Sequence, residues 1–145
     1  MIEGLVLPDV GHPEAAPFWE GCAAGELRVQ ACAACGRRRM PPRPMCPGCR
    51  SFETRWDVLS GEARVWSFVV PHPPLLPAYN DQAPYNVVIV ELADDPSIRL
   101  VGNVVAEAGA PLDSVDPHSL TIGDRVRVVF GHVADDVWLP QWVLA

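Results

Sequence analysis

Four cysteines, Cys32, Cys35, Cys46 and Cys49, spaced C-x2-C-x10-C-x2-C, constrain this chain more than any other feature. A C-x-x-C turn aims two sulfurs at one point, and two such turns complete a tetrahedron around a metal ion. Gly36 follows the first pair and Gly48 lies inside the second. Both are expected to give the backbone the freedom that lets amide hydrogens point at the sulfurs. The ten-residue spacer is shorter than the ~15–20 residues usual between such pairs, which implies a compact ribbon. A thioredoxin-like redox pair would need a single C-x-x-C beside a βαβ unit, and neither condition is met. A closed shell of four thiolates leaves no position for water, so the ion is expected to be structural rather than catalytic. Zinc is the expected ion, Zn2+; iron in a rubredoxin-like site fits the same sulfurs and stays open. The fifth cysteine, Cys22, reads as an ordinary core residue.

The charge is unevenly distributed. The net charge is −7, yet residues 27–56 hold seven of the 11 basic residues, all of them arginines, and a single acid, Glu53. An acidic chain with one basic module is a poor general nucleic-acid binder. Arg37, Arg38 and Arg39 follow the first cysteine pair and read first as a solvated rim; the sharper reading is a phosphate or carboxylate clamp. No apolar run approaches the ~18 residues of a membrane span. Residues 1–11 carry acids and prolines where a signal peptide needs a basic start and an apolar core, so a soluble cytoplasmic protein is expected.

The periodicity predicts a mainly β fold in three parts: an N-terminal helical segment over 1–26, a metal ribbon over 27–56 and a barrel over 57–145. Residues 13–25 suit a short helix, with Pro13 in its first turn, Pro17 tolerated early, Gly25 as its stop, and Phe18, Trp19 and Cys22 on one side. Leu27–Ala31 alternates as a strand. Beyond Thr54 the period becomes two, and 62–70, 85–92, 98–105, 125–133 and 137–143 are the predicted strands, rich in valine and aromatics. The 16 prolines and 11 glycines supply the turns between them. Five strands with no helix able to cover a parallel sheet suggest a small closed barrel.

The strands 62–70 and 85–92 are apolar on both faces, so a second cover is expected from the ribbon, the helix or another chain. Trp66 and Phe68 are expected in the barrel core rather than on a base-stacking platform. The loop 71–84 carries Leu75, Leu76 and Tyr79, which either fold back onto the barrel or meet a partner or ligand. His12, His72, His118 and His132 form no recognised nucleophile signature, and there is no glycine-rich phosphate loop.

Taken together, Phe18-Trp19-Glu20-Gly21, Leu27, Gln30, CAACG, PPRPMCPGC, Ser60-Gly61, Pro84-Tyr85, VVIVEL, Ile122-Gly123-Asp124 and LPQW resemble a known family over nearly all of the chain after residue 17. These are acyl-CoA-associated proteins with a zinc ribbon and an OB-fold, long filed as a domain of unknown function. The resemblance implies a five-stranded OB-fold barrel and metal ligands at Cys32, Cys35, Cys46 and Cys49. It also implies a non-catalytic partner of thiolase-superfamily enzymes: thiolases of archaeal isoprenoid synthesis, or aldolases that cleave steroid side chains as coenzyme A thioesters. It brings no catalytic residue with it. The accessory subunit of such a steroid aldolase is the leading expectation, with Phe18, Trp19, Arg37, Arg38, Leu75, Leu76 and Tyr79 as candidate partner or acyl-CoA contacts and with no nucleic-acid or membrane partner. A single-stranded nucleic-acid module is the alternative. A free-standing thioesterase is the third reading, and no motif supports it.

Overall fold

The computed structural model describes residues 4–145. Helix α1 spans Ala16–Ala24. It begins three residues later than expected because the Ala15 and Ala16 amides both turn back to the His12 carbonyl (3.0 and 2.8 Å), closing a separate turn that contains Pro13. Pro17, rather than Pro13, occupies the first helical turn, where the missing amide hydrogen costs nothing. Gly25 stops the helix as expected, with φ 76°, while the Glu26 amide reaches the Gly21 carbonyl at 2.8 Å. Phe18, Gly21 and Cys22 form the buried face. A Cβ on Gly21 would lie 2.8 Å from the Arg28 side chain, so only glycine allows this approach to the next strand. Cys22 is buried as expected, and burial pushes its thiol up to about 12.

The ribbon is a three-stranded antiparallel sheet ordered β2-β1-β3, with β1 Leu27–Cys32, β2 Arg38–Arg39 and β3 Thr54–Leu59. Leu27 faces Leu59 and Cys32 faces Thr54 across the β1–β3 ladder. The proline-rich spacer holds no helix. It is pinned by the Gln30 side chain, which accepts from the Arg43 amide at 2.7 Å, and by the buried Arg39 guanidinium, which donates to the Arg43 carbonyl at 3.0 Å.

The barrel strands are β4 Glu62–Val69, β5 Val87–Leu92, β6 Arg99–Gly102, β7 Arg125–Ala134 and β8 Val137–Leu144, in the order β6-β5-β4-β7-β8. The two ends of that sheet meet in a parallel bridge between Val104 and Trp142. There the Val105 amide donates to the Trp142 carbonyl (2.8 Å) and the Trp142 amide to Asn103 (2.9 Å). This closure gives the five-stranded OB topology. Strand β6 is shorter than the expected 98–105 because its last residues leave β5 to make this bridge. The fully buried Asn86 side chain holds them there, accepting from the Val104 amide at 2.7 Å and donating to its carbonyl at 2.8 Å. The core is Val65, Val88, Val90, Leu92, Val104, Val126 and Trp142.

Alternation in β4 breaks at a bulge between Val65 and Ser67. Trp66 faces outward by alternation with the buried Ala63 and Val65, and the extra residue brings Phe68 opposite Val88 on the core side. Trp66 is 45% exposed, not part of the core as expected, and the Arg99 guanidinium lies 3.9 Å from its ring centre. Phe68 is partly buried and packs against the core.

Charge pairs tie the ribbon strands to one another, and one longer pair reaches the barrel. Arg38 donates to Asp57 at 2.9 Å and approaches Asp95, in the turn between β5 and β6, at 3.6 Å; Arg55 donates to the other Asp57 oxygen at 2.9 Å. Arg55, with Arg38 beyond it, holds the Asp57 carboxyl below the usual carboxylate range despite partial burial. No helix of the described residues is long and apolar enough to cross a membrane.

Candidate metal centre and apolar cleft

The end of β1 supplies Cys32, the first knuckle Cys35, and the second knuckle Cys46 and Cys49. All four sulfurs lie within 4.8 Å of one another, with Cys32–Cys49 at 3.5 Å and Cys35–Cys46 at 3.7 Å. A tetrahedral ion with metal–sulfur bonds of ~2.3 Å needs sulfurs about 3.8 Å apart. The two knuckles are built alike. The Gly36 amide returns to the Cys32 carbonyl and the Arg50 amide to the Cys46 carbonyl, each at 2.9 Å. The left-handed residue after each pair is Gly36 (φ 79°) in the first and Arg50 (φ 65°) in the second.

Gly48 therefore does not play the expected role of supplying positive φ. A close approach favours a small residue there: a Cβ would stand 3.2 Å from a guanidinium nitrogen of the exposed Arg37, which would have to shift. Its amide does reach the Cys46 sulfur at 3.4 Å, as the Cys35 amide reaches Cys32 at the same distance.

The donor set fits a dication. The Cys35 amide draws the Cys32 thiol down to about 6 against the effect of burial, and the Cys49 amide likewise lowers Cys46. The Ser51 amide pulls on Cys49 too, but the facing sulfurs of Cys32, Cys35 and Cys46, together with desolvation, leave it at about 11. Four thiolates cannot share one small volume unless a cation cancels their repulsion. Arg37 crosses the second knuckle, and an Arg55 nitrogen lies 3.8 Å from where a Gly36 Cβ would be, so positive charge flanks the cluster on both sides.

The remaining predicted contacts fall in three places. Arg38 is held by Asp57 and Asp95 within the chain, while Arg37 is exposed on the ribbon. Leu76 is 59% exposed and Leu75 half-buried at the start of the short helix α2, Pro77–Asn80. Phe18, Trp19 and Tyr79 come together on a cleft of about 800 Å³ that the sequence did not reveal. Its walls come from α1, the spacer at Met40 and Pro41, Tyr85, strand β6, the 109–112 loop and strand β8. Residues Leu5–Leu7 lie along it, with the Val6 amide donating to the Tyr79 hydroxyl at 3.2 Å. Tyr85, Gln82 and Gln141 are buried in its lining. The Pro84-Tyr85 dipeptide and the LPQW run, which contains Gln141, were the local signals for them.

A four-sulfur ribbon carried in front of a closed five-stranded barrel defines a zinc-ribbon and OB-fold protein. Residues 19–55 match the family model "ChsH2, rubredoxin-like zinc ribbon domain" and residues 56–131 match "ChsH2, C-terminal OB-fold domain". The chain belongs to this ChsH2 family, also termed DUF35. It is 43% identical over 126 residues to the probable enoyl-CoA hydratase alpha subunit of Thermomonospora curvata, covering 85% of this chain and 35% of that protein. It is 33% identical over 127 residues to the 3-oxo-4,17-pregnadiene-20-carboxyl-CoA hydratase alpha subunit of Mycobacterium tuberculosis, covering 88% and 35%. The chain thus spans about a third of the length of these curated relatives. A chain of the solved "Ltp2-ChsH2(DUF35) aldolase" superposes with a TM-score of 0.80 at 31% identity, covering 94% of this chain and 98% of that one.

Proposed function

We propose that this chain is a non-catalytic accessory subunit of a thiolase-superfamily enzyme acting on acyl-CoA thioesters, and that the partner is an aldolase cleaving a C–C bond in steroid side-chain degradation. The observation that carries the reading is an uncovered apolar strip on the outer face of β4–β6. Val69 is 61% exposed, Val101 66% and Trp66 45%, and Ile89 lies between them on β5. A contiguous apolar strip on an otherwise acidic barrel suits a protein interface. The likeness to a chain of the solved "Ltp2-ChsH2(DUF35) aldolase", at 31% identity and a TM-score of 0.80, supports an aldolase partner. The retro-aldol step belongs to the partner's residues.

In this reading Cys32, Cys35, Cys46 and Cys49 hold Zn2+. Zinc supplies two positive charges and tetrahedral geometry without redox chemistry, and it holds the knuckles together. Metal analysis of the purified protein is expected to give one zinc per chain; one iron with a rubredoxin-type visible spectrum would replace zinc.

Co-expression with a thiolase-like aldolase subunit tests the assignment. The two are expected to elute together, and the steroid thioester is cleaved only by the pair. Separate elution, with the thiolase-like enzyme equally active alone, overturns it.

A further inference from the structure

Resting on that reading, we propose that the cleft between α1, the proline-rich spacer and the β6–β8 edge binds the fused-ring acyl group of the coenzyme A thioester. Its volume of about 800 Å³ lies in the range of small-molecule sites, ~300–1,000 Å³, and exceeds what a short acyl chain would fill. Its walls are flat and rigid: Phe18 and Trp19 meet edge to face at 4.9 Å, and Tyr79 and Tyr85 lie 6.4 Å apart. Among the described residues no arginine, aspartate or glutamate lines it, and His132 is its one basic side chain. The cleft therefore suits a neutral polycycle and not the phosphates of coenzyme A, which need cationic partners. A rigid ring system also loses little conformational entropy on binding.

Two hydrogen-bond donors in the lining lack partners among the described residues. Tyr85 is 7% exposed and its hydroxyl has no hydrogen-bond partner among the described residues. Gln141 is 5% exposed; its oxygen accepts from the Gly109 amide at 2.8 Å, which leaves its amide nitrogen unengaged. Gln82, by contrast, is occupied through its oxygen with the Leu112 amide and through its nitrogen with the Ala78 carbonyl. Both donors are open to water in the cleft, and a ligand that displaces this water must bring an acceptor or leave them unpaired. A ketone on a fused-ring skeleton is such an acceptor, and it cannot repel the wall as a carboxylate would.

The test titrates 3-oxo-4,17-pregnadiene-20-carboxyl-CoA, octanoyl-CoA and free coenzyme A into the full chain by calorimetry, alone and in complex with the thiolase-like subunit. The steroid thioester is expected to bind at least about tenfold tighter than octanoyl-CoA, and free coenzyme A weakest. Tyr85→Phe should weaken steroid binding about fivefold with an unchanged melting temperature. The same substitution should have no effect on an analogue lacking the ring ketone. Ala110→Trp, placed in the half-buried 109–112 loop, should fill the cleft and abolish binding. Equal affinity for all three probes, or wild-type binding by both folded variants, overturns the proposal. So does loss of steroid binding when the partner subunit docks, since a polypeptide would then be the occupant. Co-elution with the partner is scored on the same samples: a complex that forms without binding steroid sinks only this inference, and a chain that binds steroid but forms no complex sinks only the proposed function.

Discussion

The ribbon and the barrel are both small and both β, yet opposite forces hold them. Between Ala33 and Val58 the only buried apolar residue is Cys46, and Phe52 is 72% exposed. Only Met40 and Trp56 of that segment pack against the common core, so the order of the two knuckles must come from the ion that four thiolates surround. The barrel buries Val65, Val88, Val90, Leu92, Val104, Val126 and Trp142 at 1% exposure or less, and apolar burial of this kind stabilises a domain without help. Strand β1 joins the two regimes. Leu27 and Val29 pack in the common core, and the same strand ends at Cys32 in the metal site.

Removing the metal breaks this comparison at its most sensitive point. Cys46→Ser, or a strong chelator, should unfold the knuckles while the barrel keeps its β signature and a separate thermal transition. Structural zinc contributes ~10–16 kcal/mol of apparent binding energy in small peptides, so this effect should be the largest. Metal content and amide NMR spectra report it, and a chelated protein that melts as one unit at its original temperature would contradict the contrast.

The converse variant is Trp142→Ala. It empties the closure between β6 and β8 and should cost the barrel ~3–5 kcal/mol in denaturant unfolding while metal content stays at one per chain. A loss of metal in this variant would show that the ribbon depends on barrel closure.

The smallest expected effect concerns the charge cluster within the ribbon, whose Arg38 also approaches Asp95 of the barrel. Because the folded Asp57 carboxyl sits below its ordinary value, the Arg55–Asp57–Arg38 pairing is fully present above the unfolded value, ~3.9, and is lost as pH falls through the lower folded value. Asp57→Asn should remove that acid-side dependence and cost about 1 kcal/mol at neutral pH. An unchanged acid limb in the variant would place the dependence on another carboxylate, Asp94 being the next, held low by its hydrogen bonds to Ser60.

The parts of this molecule that sequence made legible are those written in neighbouring residues. Cysteine spacing located the metal centre because C-x-x-C turns are local geometry. Alternation located the five barrel strands because the pleat has a fixed period, and Gly25 marked the helix end because few other residues tolerate its backbone angles. Trp66 was expected to share the core side with Phe68, but the bulge puts the two on opposite sides, and nothing in the residue types announces a bulge. Gly48 was given a conformational role that belongs to Arg50, because a close approach from Arg37 cannot be seen along the chain.

The sequence by itself determined the four-sulfur cluster, the order of strands and turns, and the membership in a ribbon-plus-barrel family. Only the tertiary structure decided how the barrel closes, which face stays uncovered, and that Phe18, Tyr85 and Gln141 share one cleft. These depend on register and on contacts between residues far apart in the chain. Their free energy is gained only when the chain has already folded, so no short stretch of sequence records them.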